Sequence, residues 1–462
     1  MTLTRAAQGV CLARNPAPRP GLAHRWRAAV RGSVGGLPTT FWWLWTSTLV
    51  NRLGSFVVTF LALYLTVDRG FSPAFAGLVA SLYGLGGSVA AVAGGVLADR
   101  LGRRPTLLAA QSATAAATLV LGFVHPAWAI AVTAAVLGVT SNASRPAVSA
   151  IMADLVPAGD RVRAFSLNYW AINIGFAFSA AVAGLIAAHG FLLLFIGDAA
   201  TTLLCALVVF ARVPETRPES RPDDRPDDRP DDRPVSRPGA ATAPAAPAAP
   251  AVGIGTVLRD PAFMALVGLT FVLACVSNQG SVALPIVMGR AGYSPTEYGL
   301  VVALNGLLIV LLQIPVTHLV AGRNRALMLA AAALCTGFGF GLTAFAGSAW
   351  FYALTVVVWT AGEMLGVPSS MALVAELSPV HARGRYQGVY SLAWSGASFL
   401  APIAAGFLLS FYGGGAVWLS CALLGIVAAA GYLWLLRERP GQRPGPAVVA
   451  PENTGAAAST AS

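Results

Sequence analysis

Four charged side chains stand where charge is expensive. Arg52, Arg145, Asp198 and Glu363 each fall inside a long apolar run, and a charge at the centre of a bilayer span costs at least about 2.5–3.5 kcal/mol on insertion scales. Arg52, next to Asn51, lies twelve residues into its run, about 18 Å at 1.5 Å per residue, too deep for an easy reach to the interface. Arg145 sits in Asn142-Ala143-Ser144-Arg145-Pro146, with a proline beside it that predicts a kink. Asp198 follows Phe195-Ile196-Gly197, and Glu363 follows Trp359-Thr360-Ala361-Gly362. Ionisable groups inside a membrane mark ion or substrate paths. A buried carboxylate near an arginine can trade a proton against a bound molecule, and an arginine can anchor an anionic group. Glu363 is the first candidate for carrying a proton and Asp198 the second, with Arg52, Arg145 and Asn51 as cavity charges and substrate anchors. Static ion pairing between helices is the competing account.

The elements that must position these residues follow from composition. Of 462 residues, 56% are hydrophobic and only 11% are charged, against about 25% in soluble domains. A bilayer span takes about 20 mostly apolar residues. Twelve such stretches fit: 40–67, 73–98, 105–124, 127–153, 164–188, 191–211, 262–288, 295–320, 326–346, 349–374, 386–411 and 414–436. Short loops between them leave no room for a folded soluble domain. The expectation is an all-α membrane protein with twelve transmembrane helices in two six-helix halves, 40–211 and 259–437. The remaining segments are a basic tail at 1–39, a linker at 212–258 and a tail at 438–462. In the linker Arg-Pro-Asp-Asp occurs three times within 221–232 and an Ala/Pro run follows at 240–251. That composition cannot bury a core and predicts disorder.

All 30 basic residues are arginine; there is no lysine. A phosphate-binding P-loop and a Schiff base both need a lysine amine, so the chain itself is neither an ATP-driven nor a light-driven pump. The five cysteines are isolated and the five histidines scattered, so neither a disulfide framework nor a metal site is expected, and no cofactor is called for. Residues 1–38 carry six arginines without a following signal-type apolar core, which reads as a basic tail. Arg69 and Arg290 apart, the arginines outside spans gather in the tails, the linker and alternate loops. The positive-inside rule then places both ends and the linker in the cytosol, in what the composition suggests is a bacterial plasma membrane. The net charge of +11 is thus a topology signal, and no nucleic-acid partner is needed to explain it.

The halves repeat at a constant offset of 222 residues. Gly70-Phe71-Ser72-Pro73 answers to Gly292-Tyr293-Ser294-Pro295, and Gly77-Leu78-Val79 to Gly299-Leu300-Val301. Pro146 pairs with Pro368, Asp154 with Glu376, Pro157 with Pro379, Arg161 and Arg163 with Arg383 and Arg385, and Gly184 with Gly406. Six spans per half make the repeats parallel, the arrangement of carriers with a midplane site between two halves.

The loop after the second span reads Gly94-Gly95-Val96-Leu97-Ala98-Asp99-Arg100-Leu101-Gly102-Arg103-Arg104. It resembles the signature loop of the major facilitator superfamily, Gly-x-x-x-Asp-Arg-x-Gly-Arg-Arg, and the resemblance covers about residues 40–437. Gly95 and Gly102 allow close packing, and Asp99 can sit on a helix N-terminus or pair with Arg100, Arg103 or Arg104. Together with Asp154, Arg161 and Arg163 and their repeats Glu376, Arg383 and Arg385, these residues form a candidate cytoplasmic gate. Dispensable surface pairs, worth about 0–1 kcal/mol, are the alternative. In the resembled family spans one, four, seven and ten line the cavity, which places Arg52, Arg145 and Glu363 on cavity helices. An arginine in span four is characteristic of the twelve-span drug:proton antiporters, and Arg145 matches it, although the stretch 173–179 lacks their Gly-Pro pair. The segment 169–175 is similar instead to proton-coupled oligopeptide transporters, whose acidic span-one motif is here only Asn51-Arg52.

Tyr169, Trp170 and Asn173 on span five, Asn278 and Gln279 on span seven, and Tyr390 and Trp394 on span eleven are candidates for a mixed pocket suited to a small amphipathic ligand. Helix packing is the competing role for each. The expected function is secondary active transport of a small amphipathic molecule by alternating access, most simply proton-coupled efflux by a monomer in the lipid bilayer. Proton-coupled uptake of a peptide-like or anionic nutrient is the alternative, and a transport-inactive membrane sensor a third reading. Nothing catalytic is present, so an enzyme is not expected.

Overall fold

The computed structural model describes residues 35–157, 160–216, 254–320, 322–379 and 382–437. Residues 1–34 and 438–462 of the tails and 217–253 of the linker lie outside them, as does His381. Among the described residues there are helices and no strands, and twelve helices are long and apolar enough to cross a membrane. Spans 2 to 6 are Pro73–Leu101, Arg103–Phe123, Ala127–Leu155, Arg161–Ala187 and Leu192–Arg212. Spans 8 to 12 are Pro295–Val320, Arg325–Gly341 with a 3-10 turn at its end, Ala349–Leu377, Arg383–Phe411 and Gly413–Arg437. Spans 1 (Thr39–Asp68) and 7 (Pro261–Arg290) are interrupted helices. The apolar pattern locates all twelve; it gives no sign of the two interruptions.

Local chemistry explains where helices start. The repeated Ser-Pro pairs open spans 2 and 8: Ser72 Oγ accepts from the Phe75 N–H at 3.2 Å, with Pro73 at the first helical position, where its missing N–H costs nothing. At span 8 Ser294 and Glu297 cap reciprocally, Glu297 Oε2 accepting from the Ser294 N–H at 2.8 Å and Ser294 Oγ from the Glu297 N–H at 3.2 Å. Asp260 caps span 7 through the Phe263 N–H at 3.1 Å, ahead of Pro261. At both ends of the 212–258 segment the chain is structured: Arg212 closes span 6 with its guanidinium 4.7 Å from the Trp43 ring centroid, and Ile254–Leu258 is a short helix.

The core is joined at one end of the molecule and divided at the other. Around the Ser72 and Ser294 ends, one apolar cluster takes side chains from both halves, including Phe60, Leu65, Phe195, Leu284, Tyr298 and Trp418. Toward the Arg103 and Arg325 ends each half keeps its own cluster, Phe41, Leu44, Leu107 and Ile151 in one and Phe263, Leu329, Tyr386 and Tyr432 in the other. Two backbone crossings seal the joined end. Gly77 on span 2 lies against Gly406 on span 11, and Gly299 on span 8 against Gly184 on span 5. A Cβ on any of these four glycines would collide with a carbonyl oxygen of the opposing helix, so only glycine permits the approach. The two crossings are each other's images at the 222-residue offset. Hydrogen bonds between the halves fall at the same end: the Ala74 N–H to Ser410 Oγ at 3.0 Å, Thr296 Oγ1 to the Gly184 carbonyl at 3.0 Å, and Tyr298 Oη to the Thr59 carbonyl at 3.1 Å.

Candidate functional site

The interruption in span 1 begins where Gly54 packs so tightly on Thr201 that no side chain fits. The helix ends at Leu53 and restarts at Phe56. The restarted segment has free N–H groups at its first turn, which a helix leaves without internal partners. Asp198 on span 6 supplies one partner: its Oδ2 accepts from the Val57 N–H at 3.1 Å, while Thr202 Oγ1 donates to Oδ1 at 3.5 Å. A carboxylate at a helix N-terminus is favoured by both hydrogen bonding and the helix dipole. Span 7 is interrupted over 278–282, with a 3-10 turn at Asn278–Gly280. There Asn278 Nδ2 and Gln279 Nε2 donate to the Ala274 and Cys275 carbonyls at 2.8 and 3.0 Å. Ser55 and Ser277 mark equivalent positions of the repeat, so each half contributes one broken helix.

Between the breaks lies a cavity of about 680 Å³. Asn51, Arg52, Arg145, Asn173, Asp198, Asn278 and Trp394 all line it, with Tyr83, Phe176 and Gln111. Most of its wall belongs to the first half; the second gives only parts of spans 7 and 11. Among the described residues neither Arg52 nor Arg145 has an ion-pair or hydrogen-bond partner, and each feels the other's charge. The one carboxylate in the wall, Asp198, is engaged at the helix break. Two like charges facing one cavity without a counter-ion leave that cavity in want of an anion.

Glu363 lies outside this wall. Its Oε2 accepts a hydrogen bond from Asn305 Nδ2 on span 8 at 3.0 Å, and the same Nδ2 donates to Thr360 Oγ1 at 3.0 Å. Tyr169 on span 5 is within electrostatic reach of it, one helical turn from Asn173 in the cavity wall. Trp170 stands on the outward stripe with Ile174 and Phe178. Gln279 is buried at the span 7 break, and Tyr390 packs in the core of the second half. His125, His189 and His318 are exposed near span ends.

At the Arg103 end, ion pairs close within each half. Arg103 Nε meets Asp154 Oδ2 at 3.2 Å, Arg325 pairs with Glu376, and Arg163 with Asp160 at 3.3 Å. Arg103–Asp154 and Arg325–Glu376 are again 222 residues apart. The carboxylate on the N-terminus of span 3 is Glu215, which accepts from the Arg103 and Arg104 N–H groups at 3.0 and 3.1 Å. Gly102, at φ +105°, turns the chain there and leaves room for it. Asp99 and Arg100 are exposed, as are Arg383 and Arg385; Gly95 has open space where a side chain would be, and Arg161 Nε donates to the Val156 carbonyl at 3.3 Å. Sequence reasoning missed Glu215, Tyr83 and Asn305. The first has no local signal, being far from the loop it caps, but the repeat offset pairs Tyr83 with Asn305.

The family model for the Major Facilitator Superfamily matches residues 44–365 and 270–458. The MFS-type transporter YttB of Bacillus subtilis (strain 168) is 27% identical over 393 residues, covering 82% of this chain and 91% of its own. A Na(+), Li(+), K(+)/H(+) antiporter of Planococcus maritimus is 22% identical, covering 82% and 91%. Multidrug resistance protein MdtH of Cronobacter sakazakii (strain ATCC BAA-894) is 23% identical, covering 87% and 94%. In fold, a POT family transporter solved with 5-aminolevulinic acid superposes at a TM-score of 0.69 and 16% identity, over 88% of this chain and 97% of that one. Twelve spans in two parallel repeats around a cavity, and matches across both halves, give one conclusion: this chain is a multi-pass membrane transporter and belongs to the Major Facilitator Superfamily.

Proposed function

We propose that the chain exports a small amphipathic molecule bearing an anionic group, in exchange for protons, by alternating access. The observation that carries this reading is the cavity itself: two guanidinium groups without counter-ions beside the apolar and aromatic faces of Tyr83, Phe176 and Trp394. An anionic group between Arg52 and Arg145 relieves their repulsion, and the rings take the apolar body. With the Arg103 end in the cytosol, as the arginine distribution favours, the joined core closes the outer side and the divided cores leave the cavity loaded from inside. Export is supported by the relatives, a cation/proton antiporter and a multidrug resistance protein among them. Glu363 is the proton carrier in this scheme.

Membrane vesicles of both orientations test it, with fluorescent amphipathic sulfonates and carboxylates as probes. Everted vesicles with an acidic lumen are expected to accumulate probe, and Glu363→Gln to lose that dependence on the gradient while inserting normally. Accumulation in right-side-out vesicles with an acidic exterior would instead establish uptake.

A further inference from the structure

The 222-residue repeat extends to a contact that the transport reading has not used. Asn305 and Glu363, which bridge spans 8 and 10, occupy the positions that Tyr83 and Ser141 hold on spans 2 and 4. Those two residues are also bonded, Tyr83 Oη to Ser141 Oγ at 3.1 Å against 3.0 Å for Asn305 Nδ2 to Glu363 Oε2. The molecule therefore makes the same helix-to-helix bridge twice, once with neutral hydroxyls and once with an amide and a carboxylate.

Both bridges adjoin a crossing between the halves. The residue after Tyr83 is Gly84, whose approach to the Ser398 carbonyl on span 11 admits no side chain; the residue after Asn305 is Gly306, where a Cβ would lie 2.7 Å from the Ala177 Cβ on span 5. A change in either bridge is thus delivered next to the seam on which the halves move. Only the second bridge holds a carboxyl group, which can exchange a proton, whereas a tyrosine and a serine stay neutral across the physiological range.

We propose that Asn305 is the positioning residue of proton coupling: its amide N–H grips the ionised Glu363 and releases it on protonation, loosening span 8 from span 10 beside the Gly306–Ala177 crossing. The bond to a carboxylate is charge-assisted and weakens when the charge is neutralised. The Tyr83–Ser141 bridge is the pH-blind copy, so protons act on the second half and ligand on the first, where the arginines are. Position 274 is alanine and position 367 valine where the repeat would place partners of Arg52 and Arg145, which keeps the two tasks apart. Other ionisable groups around Glu363 are few. Span 8 carries Glu297 and Tyr298 near its start and His318 near its end, span 9 Arg325 at its start and Cys335 next to Thr336, and span 11 Arg383 and Arg385 at its start with Tyr386 and Tyr390 inside the apolar core. Span 5 presents Tyr169, which is within electrostatic reach of the carboxylate.

This inference rests on Glu363 being the proton carrier, and the test separates the two. Spin labels on Leu101→Cys and Leu319→Cys, in the full chain otherwise free of cysteine and held in lipid nanodiscs, report the separation of the halves at the Arg103 end by pulsed dipolar spectroscopy. The wild type is expected to shift between two distances as pH changes, and Glu363→Gln to hold one distance at every pH. Without the donor, the ionised carboxylate is less favoured, so Asn305→Ala is expected to move the midpoint to higher pH by about one unit, a tenfold change in proton concentration. Ser141→Ala, which cuts the copied bridge, is expected to leave the midpoint in place. A midpoint unchanged in Asn305→Ala, or displaced equally by Ser141→Ala, overturns the role of Asn305. A wild type whose distances ignore pH overturns the proton reading beneath it.

Discussion

The carboxylate of Asp198 takes the Val57 N–H at 3.1 Å, so its immediate task is to hold the restarted half of span 1, whereas among the described residues Glu363 bonds to a neutral amide donor from another helix. Two acids that look alike in sequence are thereby separated by their partners. Asp198→Asn keeps an acceptor oxygen and is expected to leave both stability and the pH dependence of transport near wild type. Asp198→Ala removes the cap and is expected to cost about 1 kcal/mol of stability, the usual worth of such a cap, read as a lower unfolding temperature in detergent. Loss of the pH response in Asp198→Asn would make this acid the proton carrier instead. Arg52→Gln and Arg145→Gln are each expected to weaken binding of an anionic fluorescent probe at least about tenfold, as removal of a charged hydrogen-bond donor does; equal affinity in both variants would remove the anion from the substrate description. These charges were legible from the sequence because charge in an apolar run stands out. What Asp198 does was not, since its partner is a backbone N–H exposed by a helix break that apolar periodicity does not encode.

Among elements, the broken spans and the glycine crossings set the geometry. Spans and their boundaries could be read from hydropathy, and Ser-Pro pairs from capping chemistry. The seam between spans 2 and 11 and spans 5 and 8 could be read only in outline: Gly77, Gly184, Gly299 and Gly406 fall on the repeat, but a repeated glycine does not say which backbone it meets. Replacing Gly184 or Gly406 with leucine forces a side chain into an opposing carbonyl. Both variants are expected to favour the state opened at the Ser72 end, seen as faster alkylation of a cysteine introduced at Thr59, with wild-type rates counting against the seam as the closed gate. The signature loop at 94–104 shows a related limit. Glu215 holds the start of span 3 from more than one hundred residues away, a contact that no local motif announces.

For the whole molecule, the balance is between a joined end built from apolar packing and backbone, and a divided end carrying the ion pairs. The pairs Arg103–Asp154 and Arg325–Glu376 each bind one half to itself, so they stiffen the two bodies without tying them together. The Arg325–Glu376 pair is the more exposed of the two, and exposed pairs contribute about 0–1 kcal/mol. Reversing one pair as a double substitution, Arg325→Glu with Glu376→Arg, is accordingly expected to retain transport, while Arg325→Glu alone places two acids together and lowers it. Failure of the reversed pair to restore transport would show that the arginine has a second partner in the closed state.

The seam at the joined end also has a bearing on the medium it faces. Its closest contacts are made by glycines against carbonyl oxygens, groups that neither titrate nor bind salt ions strongly. Acid, ionic strength and buffer on that side therefore find nothing in the glycine crossings to act on. Opening at these crossings therefore depends on the packing of the helices themselves.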